Sequence, residues 1–263
     1  NGREQIYFLG NSLGLQPEST SRYIQQVLDQ WASHGVESFF QGDNPWMNHH
    51  EELVKVLSKI VGALPHEVVV MNQLTVNLHL MMVSFYQPVG KRNKILCEAK
   101  AFPSDQYMIE THLKHLGLDP HTTIIEVSPR SGEHTIRTED ILETIAVHKD
   151  DLALVLIGGV NYYTGQLFDM KAVTAAAHSA GAVAGYDLAH AAGNVPLSLH
   201  DWDVDFACWC SYKYLNSGPG AVSGVYIHER FHANPTLQRF GGWWGYDKET
   251  RFQMQEGFKP ILS

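Results

Sequence analysis

Three observations predict an α/β fold with a doubly wound, mostly parallel sheet. From Glu67 onward, short apolar runs of strand length alternate with segments of helical spacing. No apolar run approaches the roughly 18 residues of a membrane helix, and runs such as 152–160 fit single strands. The polar residues able to carry chemistry fall just after strands, where ligands bind in sheets of this kind.

The elements follow in order. Gln5-Ile-Tyr-Phe-Leu-Gly-Asn-Ser-Leu-Gly-Leu15 reads as a short apolar strand entering a glycine-containing loop. Pro17 to Trp31 carries helical spacing, with Tyr23, Ile24, Val27, Leu28 and Trp31 on one face. His34 to Trp46 is rich in Gly, Asn, Asp and Pro and reads as loop, before a helix with Leu53, Val54, Leu57, Ile60 and Val61 that ends near Gly62. Strands are then expected at 68–71, 94–98, 123–127, 152–158, 183–187, 205–210 and 224–228. The intervening helices are expected at 75–85, 104–116, 138–148 and 170–180. Residues 1–50 form an N-terminal arm and helix on this reading, and 51–263 a large ligand-binding domain.

Composition narrows the function classes. The 263 residues are 44% hydrophobic, enough for a substantial core. They are 18% charged, with 22 Gly and 11 Pro spread along the chain, which argues against disorder. A net charge of -9 disfavours nucleic-acid binding, and no membrane segment is expected. The three cysteines Cys97, Cys208 and Cys210 do not make a disulfide framework and point to a reducing, cytoplasmic compartment. Cys208-x-Cys210 lacks a second matching pair, so no metal site is expected despite 15 histidines. The chain begins Asn1-Gly2 rather than with Met, so a targeting segment upstream is left open.

Four segments carry the candidate chemistry. Asp187 ends the apolar strand Ala182-Val-Ala-Gly-Tyr186 and precedes Leu188-Ala-His190. A carboxylate in that low-dielectric setting needs a cation, such as a protonated heterocyclic nitrogen; alone it also reads as a capping Asp. Lys213, in Cys210-Ser-Tyr-Lys-Tyr214, follows the next strand, where desolvation suits an amine for covalent chemistry with a carbonyl; alone it also reads as a snorkelling surface lysine. In Asn72-Gln-Leu-Thr-Val-Asn77, the N–H groups of Leu74 and Thr75 would face an anion at a helix start, unless Thr75 is simply an N-cap. In Ala101-Phe-Pro-Ser-Asp105, Phe102 could stack on a flat ring, and Asp105 could serve as a second acid or as a helix cap.

These segments, with Gly10-Asn-Ser-Leu-Gly14, Tyr163-Thr-Gly-Gln166, His200-Asp-Trp202 and Asp205-Phe-Ala-Cys-Trp-Cys-Ser-Tyr-Lys-Tyr-Leu-Asn216, resemble the kynureninase family. That family belongs to the aspartate-aminotransferase-like (fold-type I) enzymes that use pyridoxal 5'-phosphate (PLP). The resemblance runs over nearly the whole chain. It implies the PLP-dependent transferase type of sheet, with Lys213 bonded covalently to PLP, Leu74 and Thr75 on its phosphate, Phe102 on its ring and Asp187 on its nitrogen. Asp105 and His190 lie close by, Tyr212 and Trp243 make phosphate-side contacts, and Trp243 is expected from a partner subunit of a homodimer. Lys213, Tyr212 and Asp187 would be catalytic.

The implied activity is hydrolysis of the Cβ–Cγ bond of an amino-acid substrate, L-kynurenine or its 3-hydroxy form, in tryptophan catabolism and pyridine nucleotide biosynthesis. The products would be anthranilate, or 3-hydroxyanthranilate, and L-alanine. Gly158 stands where the family often carries a cofactor-contacting Ser. The Phe39-Phe40 loop aligns with a substrate-side His of animal relatives, which leaves substrate preference open. The family continues past the position of Ser263 into a C-terminal small domain carrying a carboxylate-binding Arg, so a C-terminally truncated chain is expected. A desulfurase, an aminotransferase or a non-catalytic PLP-binding fragment remain as alternatives.

Overall fold

The computed structural model describes residues 2–261. Its helices are α1 (Thr20–His34), α2 (His49–Val61), α3 (Leu74–Phe85), α4 (Pro103–His115), α5 (Pro120–Thr123), α6 (Thr138–Val147) and α7 (Met170–Ser179). Its strands are β1 (Val68–Val70), β2 (Lys94–Glu98), β3 (Ile124–Val127), β4 (Leu152–Gly158), β5 (Val183–Asp187), β6 (Phe206–Trp209) and β7 (Gly224–Ile227). The strands form one seven-stranded sheet in the order β1-β7-β6-β5-β4-β2-β3. The pairs β3–β2, β2–β4, β4–β5 and β5–β6 are parallel, and β7 runs antiparallel to both neighbours.

Period-two side-chain alternation divides each strand between two cores. Leu96, Val155, Ile157, Ala184, Tyr186, Ala207, Trp209 and Tyr226 face one side, with α6 and α7 residues such as Ile141, Ile145, Val173 and Ala177. Ile95, Cys97, Leu154, Leu156, Phe206, Cys208 and Val225 face the other, with Leu78, Met82 and Phe85 of α3 and Met108, Ile109 and Leu113 of α4. The strands are therefore apolar at consecutive positions because both faces are covered. Two glycines make room for rings: a Cβ at Gly185 would lie 2.1 Å from the Phe206 ring, and one at Gly224 would lie 2.3 Å from Trp209.

The first expected strand is not formed. Residues 5–9 make no ladder, and Ile6 and Phe8 are 85% and 87% exposed. Apolar composition favours a strand only where a partner supplies backbone hydrogen bonds, and this arm has none among the described residues. The arm instead turns at Gly10, with Ser12 N donating to Leu9 O and Tyr7 Oη to Leu13 O. α1 begins three residues later than expected, and its apolar face of Tyr23, Ile24, Val27, Leu28 and Trp31 is exposed. The 34–46 loop contains a 3-10 turn at Gly35–Phe39. The remaining expected elements form, with ends displaced by a few residues at most.

Gly185→Ala should destabilise the fold by roughly 1–3 kcal/mol through overpacking against Phe206. A lowered urea midpoint with an unchanged slope is the expected result.

Candidate active site

The parallel strands deliver their carboxyl ends to one edge. Gly158, Asp187 and Cys208 lie in register across β4, β5 and β6. Beside them is a cavity of about 130 Å³ lined by Gln73, Leu74, Thr75, Phe102, Ser104, Asp105, Asp187, Ala189, His190, Tyr212 and Lys213. Eight of the ten residues expected from the sequence therefore line the cavity, and Gly158 does not line it but ends β4 in register with Asp187. Trp243 lies outside the cavity: it is 43% exposed, donates its ring N–H to Arg251 O and packs edge-on against Trp244 and Phe252.

The loops are fixed by backbone constraints. Asn72, Lys100 and Asn216 adopt left-handed conformations, with φ of 49°, 57° and 56°, in the loops after β1, β2 and β6. The Asn77 amide donates to Met71 O and accepts from the Asn72 amide, which locks the turn into α3. Ser211 Oγ donates to Val222 O, and Gly14 N donates to Tyr212 O. A Cβ at Gly14 would lie 2.2 Å from Lys213 O, so the arm can seat on the lysine loop only with glycine there.

Asp187 is buried at the end of β5 and accepts from Ala189 N at 2.7 Å. Asp105, also buried, projects from the first turn of α4 and shares a hydrogen bond with Asp187. Desolvation pushes both carboxyls upward, and the negative charge of Asp187 pushes Asp105 further. Both shifts favour sharing of one proton between the two carboxyls, and a cation in the cavity would oppose that sharing. Asp105 is not the cap of α4: the cap position is Phe102, and Asp105 stands in the first turn.

Lys213 is buried, not snorkelling. Its Nζ lies 3.0 Å from His190 Nε2, 5.8 Å from the Phe102 ring centroid and 5.9 Å from that of Tyr212. Burial, then the lysine charge, pushes His190 down to about 4, so its ring is neutral. Desolvation pushes Tyr212 up to about 12, which keeps its hydroxyl protonated. Thr75 is the second residue of α3 rather than its cap; the cap position is Gln73, whose amide donates to Gly220 O and Ala221 O. The N–H groups of Leu74, Thr75 and Val76 precede the first intrahelical bond, Asn77 N to Gln73 O, and suit an anion.

Sequence reasoning missed Glu98. It ends β2, is buried, and accepts from Gly158 N at 3.1 and 3.2 Å through its two oxygens. Desolvation, assisted by the charge of Asp187, pushes it up to about 7. An acidic residue closing an apolar strand, as at Asp187, was the available signal. Tyr162, edge-on to Phe102 at 5.1 Å, and Tyr214, 3.5 Å from His190 Nδ1, were also missed. Both are tyrosines in loops whose direction the sequence does not disclose.

A buried lysine, a proton-sharing carboxyl pair, a ring face and a bare helix start, gathered at the carboxyl edge of a mostly parallel sheet, define a lysine-centred α/β ligand site. The chain belongs to the aminotransferase class-V family, whose model matches residues 6–247. It is 60% identical over 261 residues to the kynureninase of Flavobacterium johnsoniae, covering 99% of this chain and 61% of that protein. It is 56% identical to the Myxococcus xanthus kynureninase, with 99% and 61% covered, and 54% identical to that of Nematostella vectensis, with 98% and 56% covered. The chain thus spans about three fifths of the length of these curated relatives. Among solved structures, a mutant of C-DES with glycine covalently linked to its PLP cofactor superposes with a TM-score of 0.75 at 15% identity, over 97% of this chain and 64% of that one. The apo cysteine desulfurase of Thermococcus onnurineus NA1 does so with 0.66 at 20%, over 98% and 64%. These likenesses show the fold.

Glu98 supplies a stability test. Its folded value of about 7 lies above the ordinary 4.5, so the folded state binds the extra proton between those limits. Its contribution is complete below pH 4.5 and declines as pH rises toward 7. Relative to Glu98→Gln, the wild-type protein should lose on the order of 3 kcal/mol between pH 4.5 and pH 7.5 in urea titrations. A pH-independent difference would contradict a buried, protonated Glu98.

Proposed function

We propose that the protein is a PLP-dependent kynureninase, hydrolysing the Cβ–Cγ bond of L-kynurenine or 3-hydroxy-L-kynurenine to anthranilate or 3-hydroxyanthranilate and L-alanine. The observation that carries the reading is the convergence of Lys213, His190 and the Asp105–Asp187 pair on one cavity, in a chain 60% identical to a kynureninase over 99% of its length. The donor set suits PLP. The amine of Lys213 matches the aldehyde, the shared proton of the acid pair matches the ring nitrogen, the N–H groups of Leu74 and Thr75 match the phosphate, and Phe102 offers a ring face. Gly158 leaves room at the strand end, with its N–H committed to Glu98.

When bound, PLP supplies an electron sink for negative charge developed at the substrate's Cα. Asp187 keeps a proton on the ring nitrogen by pairing with it, and Asp105 tunes that carboxylate. Lys213 would hold the cofactor covalently, and its free amine would take the proton from the substrate's Cα. His190 orients the lysine amine. Tyr212, protonated and adjacent, donates a proton to the carbon side of the broken bond after water has added to the γ-carbonyl.

A homodimer, with Trp243 of one subunit reaching the other's phosphate side, is supported by the exposed apolar face of α1 and by the exposure of Trp243. Division into an arm and helix (1–50) and a large domain (51–263) is supported by the absence of buried residues in α1. A cytoplasmic location is supported by the free thiols of Cys97, Cys208 and Cys210. Among the described residues, no helix is long and apolar enough to cross a membrane.

PLP-loaded protein should convert 3-hydroxykynurenine to 3-hydroxyanthranilate and release no sulfide from cysteine. Sulfide release without aromatic product would replace this reading with a desulfurase. Lys213→Ala should abolish both turnover and the visible absorbance of the bound cofactor; a retained band would remove Lys213 from its role.

A further inference from the structure

Three side chains form a row that leads out of the cavity. Lys213 Nζ lies 3.0 Å from His190 Nε2, and His190 Nδ1 lies 3.5 Å from Tyr214 Oη. The His190 and Tyr214 rings meet edge to face, with centroids 6.1 Å apart at 74°. Lys213 and His190 line the cavity, whereas Tyr214 stands behind them and is half-buried. The turn after His190 packs on the same tyrosine: the His190 carbonyl accepts from the Asn194 amide, and the Tyr214 Cβ lies 3.3 Å from where a Cβ of Gly193 would be. The ring is therefore held between the two hydroxyl- and amine-bearing groups by its own loop.

A neutral imidazole has one donor and one acceptor nitrogen, so the partners of His190 are coupled. An ammonium can only donate. When Lys213 is charged, Nε2 must accept and Nδ1 must donate to Tyr214 Oη. When Lys213 is neutral, the opposite tautomer is allowed, and the tyrosine hydroxyl can serve either one. Burial keeps His190 neutral, as this arrangement requires.

We propose that His190 and Tyr214 form a two-bond proton relay between the Lys213 amine and solvent, with Tyr214 as the outer partner that serves whichever His190 tautomer the lysine charge selects. A proton passes from Nζ to Nε2, the Nδ1 proton passes to Tyr214 Oη, and the hydroxyl proton passes to water. The lysine ends neutral, the imidazole ends neutral in the opposite tautomer, with its proton on Nε2, the phenol ends as it began, and one hydronium is formed. The value of the relay to the enzyme rests on the reading of Lys213 as the base in the proposed reaction. The other titratable groups that act on Lys213 and its immediate neighbours are Asp105, Asp187, Cys210 and Tyr212.

The test uses protein without cofactor. The rate of Lys213 acetylation by acetic anhydride, read by mass spectrometry of the lysine peptide, is followed against pH in the wild-type protein, in Tyr214→Phe and in His190→Leu. Phe keeps the ring packing and removes only the hydroxyl. Loss of that hydroxyl weakens Nε2 as acceptor of a charge-assisted bond from the ammonium. The midpoint should therefore fall by about half a pH unit in Tyr214→Phe and further in His190→Leu. An unmoved midpoint in Tyr214→Phe overturns the relay. If either variant fails to fold, as judged by circular dichroism, the midpoint in the other decides by the same criterion. A shifted midpoint in protein that does not cleave kynurenines would uphold the relay and reject the activity instead.

Discussion

Desolvation of the carboxyl group at the end of β5 is the constraint around which the site is organised. β5 is paired on both sides and covered on both faces, so Asp187 is largely shielded from water and opens only onto the cavity. An isolated carboxylate there would cost several kcal/mol, more than a single backbone hydrogen bond returns. Part of the cost is met locally by Ala189 N–H, and the rest by sharing a proton with Asp105. Glu98, one strand away beyond β4, responds in the same way by rising toward 7. Two coupled buried acids beside one lysine form an assembly that a bound cation would complete. The same low dielectric that makes these groups costly makes their action on a ligand strong.

The second requirement is that loops from distant parts of the chain hold their positions. Each non-glycine residue in a left-handed conformation costs of order 1–3 kcal/mol, less where an asparagine occupies it. Asn72, Lys100 and Asn216 accept this strain at three turns that bring α3, α4 and the lysine loop to the cavity. Specific bonds then fix the turns, including those from Asn77 and Gln73 and the seating of Gly14 on the lysine loop. The arm is thus exposed over much of its length but is anchored where it meets the chemistry. Similarity of fold to C-DES at 15% identity shows a sheet architecture that tolerates wide sequence change.

Much of the fold and site was legible because it depends on local pattern. The consecutive apolar residues of β4, β5 and β6, the helical spacing between β4 and β5, and the placing of Asp187 at a strand end and Lys213 just beyond one can all be read along the chain. Leu74, Phe102 and Asp105 were legible for the same reason, since each follows a strand. Trp243 belonged to the expected site, yet within one chain it lies against Trp244 and Phe252. Glu98 was passed over because it was read only as the last residue of its strand and not as a group of the site.

The sequence by itself determined which residues form strands and helices, and which polar groups stand at their carboxyl ends, because periodicity and turn chemistry act over a few residues. Tertiary structure alone decided that Asp105 shares a proton with Asp187, that His190 bridges Lys213 and Tyr214, and that residues 5–9 form no strand. Each of these depends on groups distant in sequence. Their charge states and backbone bonds follow from which neighbours packing supplies and how much water it removes.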